Sequence, residues 1–374
     1  MFRPSFLSLS LSFLLSVVSF AGGTDFVVGT CRPHLKSYPT ISAAVSDPAT
    51  ANSTIFVCAG TYEEQVIITQ PLTLEGVPVG ENRAAIITPP FGGGGQSVTP
   101  LSLFGNSAVP NIFVSGAGPV NLKNLVVDGL AQLNILPEAL MGIYYLNISG
   151  SITGVVARNV FTPFGGIGIE EDIFDGASHS FAVTNSNVVS PAATASFSYG
   201  IATFSAGQEL TLALNSNYIS GIQGPDGDGG GIYVHNFAPA TAKGTIASNQ
   251  ISANRGLLLA GTSLGVTGNA IFGINIIGGG GANTVNGNHI DGGGNHGIEI
   301  DGTGTNVVKS NTIVNASVGI YGCTDSFFGF PPASGSTVMS NMVLNAATGA
   351  LMPSDNVLVS NVYNGVSLAQ QACP

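Results

Sequence analysis

Tryptophan is absent from this chain of 374 residues, and charge is scarce: nine Lys and Arg and 20 Asp and Glu make up only 8% of it. Without Trp, the largest ring available for stacking on a sugar is missing. A net charge of −11 and a pI near 4.6 disfavour nucleic acid and anionic membrane as partners. The same shortage of cations weakens the case for an acidic polymer held by ion pairs. Cysteines number four and none forms a C-x-x-C pair, so the sequence carries no zinc motif. The longest apolar stretch, Phe6 to Phe20, falls short of the ~20 residues of a membrane-spanning helix and is interrupted by serines.

What is present begins with that stretch. Arg3, the apolar run and Ser19-Phe20-Ala21 before Gly22 match a signal peptide over residues 1–21, leaving residues 22–374 as the mature domain. The expectation is a secreted or periplasmic protein with no membrane span after cleavage. No cysteine follows the apolar run, which argues against a lipoprotein. In an oxidising compartment four cysteines allow three pairings. Pairing Cys31 with Cys58 and Cys323 with Cys373 brackets the two ends of the chain, and each closed loop would add roughly 3 kcal/mol.

Between the ends the chain repeats itself. A phrase close to V-x-x-N-x-I, followed by G-I-x-I, recurs around Asn159, Asn187, Asn217, Asn249, Asn269, Asn288, Asn311, Asn341 and Asn361, at gaps between 19 and 32 residues. A period of that size marks a stacked-repeat protein, in which neighbouring repeats bury each other's apolar faces. Within a repeat the apolar residues alternate, as in Gly231-Ile232-Tyr233-Val234-His235, so the units are half-buried strands of about five residues. Gly and Asn at the corners tolerate positive φ. Three short strands per turn fit the period and predict an all-β solenoid of parallel sheets, with equivalent Asn side chains bonded in a ladder. Low charge suits this design, because a charge kept in one register would meet its own sign on every coil. Hydrophobic content of 44% separates the chain from a disordered Gly-rich one.

The run YPTISAAV from Tyr38 to Val45 predicts a short amphipathic helix ahead of Asp47-Pro48, placed to cap the first coil. The following TIFVCAGTYEEQVIITQPLTLEGV carries a T-I-x-V-x-x-G-T-Y-x-E phrase. It resembles the entry segment of right-handed parallel β-helix proteins of the pectin-lyase-like superfamily, and the Asn and Gly repeats resemble that superfamily's coils. Together the resemblances cover roughly residues 38–370. They imply a secreted protein that binds or degrades polysaccharide or oligosaccharide, as a polysaccharide lyase or glycoside hydrolase. The alternative is a non-catalytic surface, adhesion or structural module, since the fold does not fix the activity. The W-I-D-H, R-x-P-x-x-R, paired Asp-Asp and R-I-K motifs of the pectate lyases and polygalacturonases are missing.

Candidate site residues come from the register. If the residue after each repeat's glycine points inward, those two and four beyond it face outward: Glu170 after Gly166, Tyr233 and His235 after Gly231, Asn275 after Gly273, Glu299 and Asp301 after Gly297, Tyr321 after Gly319. Glu299 and Asp301 share one face about 7 Å apart, a spacing suited to an acid and base pair, with His235 as proton acceptor for a lyase. Tyr233, Asn275, His296 and Tyr321 are the candidate substrate-binding groups. Asp226 and Asp228, on a Gly-rich loop, are the candidate ligands for calcium, the one cofactor in view. Glu170, Glu171, Asp172 and Asp175, followed by His179, read as a solvated acidic loop. Counting coils places Glu170 about 24 Å and His235 about 14 Å from Asp301.

Overall fold

The computed structural model describes residues 25–78, 84–90, 108–131, 139–162, 165–189, 198–206, 209–222, 229–237, 242–253, 255–260, 262–271, 274–277, 282–291, 296–300, 304–324 and 331–373. The expected signal peptide over residues 1–21 lies outside them. Strands gather into three sheets of 14, 12 and 12 members, and each coil gives one strand to each sheet. One coil runs Leu210–Asn215, Tyr218–Ile222 and Gly229–Phe237, after which Ala242–Ala247 lands parallel to the first strand. The chain is thus the right-handed parallel β-helix that the repeats and the resemblance predict.

Alternation builds the interior. In the first sheet Val183, Leu214, Ile246, Val266 and Val285 stack in one inward column, each buried. Burying one such side chain fully contributes roughly 1.5–3 kcal/mol, and the column repeats on all three walls. The G-I-x-I phrase has a steric reason. A Cβ on Gly231 would stand 2.1 Å from Ile251 Cγ2, and one on Gly297 2.3 Å from Ile313 Cγ2. Glycine lets the second sheet's branched side chains close against the start of the third sheet's strands.

The corner between the first and second sheets holds the ladder. Ser216, Ser248, Gly268, Gly287, Ser310, Ser340 and Ser360 take positive φ of 53–65° there. The asparagine that follows each corner turns inward. Asn249 donates Nδ2 to Asn269 Oδ1 at 2.9 Å and to the Leu214 carbonyl at 2.8 Å, while its own Oδ1 accepts from the backbone N–H and Nδ2 of Asn217. The pattern continues through Asn288, Asn311 and Asn341 to Asn361. Two asparagines of the repeated phrase lie elsewhere. Ser186, not Asn187, holds the ladder position in its coil, donating its backbone N–H to Asn217 Oδ1 at 3.0 Å. Asn159 sits at a different corner, with φ 53°, and donates to Asp128.

The capping helix is Ile41–Ser46, later than the Tyr38 start expected, because Tyr38 closes the strand Lys36–Tyr38 and Thr40 is the N-cap. Its Ile41, Ala44 and Val45 are buried over the first coil. Glu64, which ends the T-I-x-V-x-x-G-T-Y-x-E phrase, accepts from the backbone N–H of Ile41 and Ser42 at 2.9 and 2.8 Å. That phrase therefore fastens the cap to the coil through the helix's unpaired amides. Both expected disulfides form: Cys31–Cys58 and Cys323–Cys373, each with Cα atoms 5.6 Å apart.

Candidate functional site

Two columns of residues run along the third sheet in backbone register, and those of their side chains that are described face outward. One runs Tyr144, Glu170, Ala202, Tyr233, Leu258, Asn275, Glu299, Tyr321 in hydrogen-bonded register. The other runs Leu146, Asp172, Phe204, His235, Ala260, Ile277. Ile169, Ile201, Ile232, Ile298 and Ile320, each following a glycine, are buried on the inner side, as the register rule requires.

Three parts of this face carry chemistry. The strand His296–Ile300 presents Glu299, whose Oε2 lies 3.2 Å from His296 Nδ1; side-chain exposure is 12% for Glu299 and 30% for His296. Tyr321, one coil on, stacks its ring on the His296 imidazole at 4.1 Å and 15° and donates its hydroxyl to the Thr324 carbonyl. A carboxylate, an imidazole and an aryl ring thus meet at one half-buried spot. Three coils away the strand Gly229–Phe237 presents Tyr233 and His235, with the Tyr233 hydroxyl 3.0 Å from His235 Nδ1. The rings of Tyr199 and Phe204 each approach Tyr233 to 5.2 Å. Burial lowers the His235 pKa below the ordinary imidazole value, favouring the neutral ring that can accept a proton.

The third part contradicts the reading of residues 170–175 as a solvated loop. Glu170, Glu171 and Asp172 lie in the strand Gly166–Ile173 and are fully buried; only Asp175, paired with His179 at 3.1 Å, is on a turn. Glu170 and Asp172 are neighbours on the outer face, and the buried Tyr144 hydroxyl donates to Asp172 Oδ2 at 2.8 Å. Loss of water, then the adjoining Asp172 charge, pushes the Glu170 pKa well above the ordinary carboxyl value. Burial and the Asp172 charge raise the Tyr144 phenol too. Tyr144 packs with Phe113, Met141, Ile167, Ala202 and Phe204 in an apolar cluster separate from the solenoid core, and Ala202 and Phe204 are the register neighbours of Glu170 and Asp172. The sequence carries this signal at Gly168. Gly168, not Gly166, matches Gly200 and Gly231, because its close approach is to Val188 as theirs is to Ile219 and Ile251. Counted from Gly168, the outward pair is Glu170 and Asp172.

Of the predicted residues, the structure joins His296, Glu299 and Tyr321 in one group and Tyr233 and His235 in another. Asn275 stands in register between Leu258 and Glu299. The two groups are separated by three coils, about 14 Å, with buried Leu258 and Ala260 on the coil after His235. Asp301, Asp226 and Asp228 lie outside the described residues. Among the described residues no group of three His, Cys, Asp or Glu side chains is placed to hold a metal ion. Arg158 is committed to structure, its Nε 2.7 Å from Asp128 Oδ2.

No family model matches the chain, and no curated protein matches it in sequence. Solved structures do resemble it. PfbA, a surface adhesin of Streptococcus pneumoniae, superposes with a TM-score of 0.52 at 12% identity, covering 88% of each chain. A PL6 alginate lyase complexed with a trisaccharide gives 0.51 at 13% identity, over 94% of this chain and 84% of that one. A mannuronic acid specific polysaccharide family 6 lyase from human gut microbiota gives 0.51 at 11%, over 89% and 88%. At such identities the likeness establishes the shared parallel β-helix fold alone.

Proposed function

We propose that this is a secreted protein that binds or degrades polysaccharide along the outer face of its third sheet, from Tyr233 and His235 to His296, Glu299 and Tyr321. The observation that carries the proposal is the placement of these groups. All five stand half-buried on one face, where a sugar chain can reach them, whereas Tyr144, Glu170 and Asp172 are sealed. Aromatic rings beside hydrogen-bonding groups suit a saccharide, which offers apolar ring faces and hydroxyl edges. The two lyases compared above, built on this fold, support the reading.

For hydrolysis, Glu299 and Asp301 are the acid and base; the ideal spacing of two positions on a strand is about 7 Å, which would leave room for a water between them and the sugar. For elimination, His235 takes the proton in its neutral form, and calcium held by Asp226 and Asp228 would supply the charge that acidifies the substrate. A non-catalytic surface or adhesion module is the second reading, favoured by the ~14 Å between the His235 and Glu299 groups, which suits an extended binding track better than one reaction centre.

The test is a panel of neutral and uronate polysaccharides assayed for both binding and cleavage, with wild type and Glu299→Ala/Asp301→Ala. Cleavage lost with binding kept supports catalysis at this pair. Binding weakened without cleavage in either protein supports the non-catalytic reading. Neither changing, with the fold intact, places the site elsewhere.

A further inference from the structure

The corner between the third and first sheets lines up a serine, a histidine and an aspartate on two neighbouring coils. On one coil the strand Ala139–Leu146 leads through residues 147–149 into Gly150–Thr153; on the next, Gly166–Ile173 leads through residues 174–178 into His179–Thr184. Since Gly150 pairs with Phe181, Ser149 stands opposite Ser180, whose backbone N–H donates to the Ser149 Oγ at 3.1 Å. The same Oγ lies 3.4 Å from His179 Nδ1, and His179 Nε2 lies 3.2 and 3.1 Å from Asp175 Oδ1 and Oδ2. A carboxylate only accepts, so in the neutral ring Nε2 carries the proton and Nδ1 is left to accept from the serine hydroxyl. The turn fixes Asp175: its Oδ1 also accepts the Ala177 N–H at 2.9 Å, Gly176 takes φ 83°, and Asn147 Oδ1 accepts the Phe174 N–H at 2.6 Å. The group opens to solvent, with side-chain exposure of 11% for His179 and 33% for Asp175 and with Ser149 half-buried.

We propose that Ser149, His179 and Asp175 form a second site, one that hydrolyses carboxylic esters. Such a triad is recognised by the geometry and roles of its members, not by their order in the chain. Ser149 Oγ attacks the ester carbonyl carbon while its proton passes to His179 Nδ1. The bond from that carbon to the alcohol oxygen then breaks, and the alcohol leaves with the proton, so that the acyl group stays on Ser149. Water attacks the acyl carbon and gives one proton to His179; the bond to Ser149 Oγ breaks, and the proton returns to the serine. Ester and water thus become acid and alcohol. Asp175 touches no reacting atom and is a positioning residue, which holds the tautomer and offsets the imidazolium charge as it forms. The Ser180 N–H, already beside the attacking oxygen, is placed to meet the carbonyl oxygen as its charge develops. O-acyl groups on a saccharide belong to this substrate class, but the proposal does not rest on the saccharide reading, because none of its three residues belongs to the track from Tyr233 to Tyr321.

Two small probes applied to the full chain, p-nitrophenyl acetate and a fluorophosphonate, test the site without any saccharide. Wild type is expected to hydrolyse the ester and to carry a phosphonate adduct on the peptide that contains Ser149, located by mass spectrometry. Ser149→Ala is expected to lose both. His179→Gln leaves the serine in place, so it tests the base independently should Ser149→Ala fail to fold, and it is expected to slow hydrolysis and labelling by at least about 100-fold, the scale of a general base. Asp175→Asn should lower kcat with KM kept, and Asp175→Glu should recover part of the loss. No adduct on Ser149 in wild type, equal hydrolysis by wild type and Ser149→Ala, or labelling indifferent to His179→Gln would each overturn the proposal.

Discussion

Glu171 is the one carboxyl of the acidic run that points into the solenoid, in register between Tyr145 and Thr203, and neither of its oxygens finds a donor. Leaving a charge there costs far more than leaving a neutral acid, and burial with the adjoining Asp172 holds its pKa well above the ordinary 4.5. The sign follows from proton binding. From about the ordinary value upward the folded chain keeps a proton that the unfolded chain releases, so the stability this group contributes is full at acid pH and falls as pH rises toward the folded pKa. The slope is at most about 1.4 kcal/mol per pH unit per group. Glu171→Gln is expected to match wild type in thermal midpoint at acid pH and to exceed it by a growing margin toward neutrality. A constant offset between the two melting profiles across pH would show that Glu171 is not protonated in the fold. This behaviour was not legible in the sequence. Counting from Gly168 turns Glu171 inward and Glu170 and Asp172 outward, but E-E-D reads as a polar loop, and only the structure reveals that all three carboxyls are buried. Glu299, by contrast, was legible at once, because G-I-E-I alternates without interruption and Gly297 fixes its phase.

At the scale of the element, the corner and ladder bear most of the specification. Asn288 accepts from the N–H and Nδ2 of Asn269 and donates to Asn311 Oδ1 and the Val266 carbonyl. Asn288→Ala removes all four contacts and strands buried donors, each worth about 1–3 kcal/mol when unpaired. A loss of about 2–4 kcal/mol is expected, read as a lower denaturant midpoint, whereas exposed Asn187 should tolerate alanine within about 0.5 kcal/mol. Equal effects at the two positions would contradict the ladder as described. Gly297→Ala is likewise expected to cost about 1–3 kcal/mol through the clash with Ile313. Strand type, corner chemistry and most ladder positions could be read from the repeat because the same physics recurs on every coil. The misassigned Asn159 and Asn187 show the limit. In those early coils Asn185, Gly154 and Asn124 occupy left-handed corners that Ser or Gly fills later, so asparagine serves two roles and spacing alone does not separate them.

For the whole molecule, a solenoid is held by neighbour contacts, and its ends are where those contacts run out. The near end is closed three times over: by the helix, by Glu64 on its first amides and by Cys31–Cys58. Cys323–Cys373 ties the last described strand to the turn after Val318–Tyr321 across 50 residues of sequence. Closing a loop of that length restricts the unfolded chain by about 4 kcal/mol in the chain-entropy account. The bridge also has a local effect, since the strand Leu368–Ala372 is exposed along its whole length and pairs on one side only. Cys323→Ser/Cys373→Ser is therefore expected to fray the last coils first. Hydrogen exchange should accelerate over residues 357–372 while the coils around Asn249 keep their protection. The Tyr321 ring belongs to the strand next to Cys323, so loosening there should also disturb its stacking on His296 and weaken any saccharide binding at Glu299. Exchange that accelerates evenly along the solenoid would mean that it unfolds as one cooperative block, with the bridge acting on the unfolded chain alone.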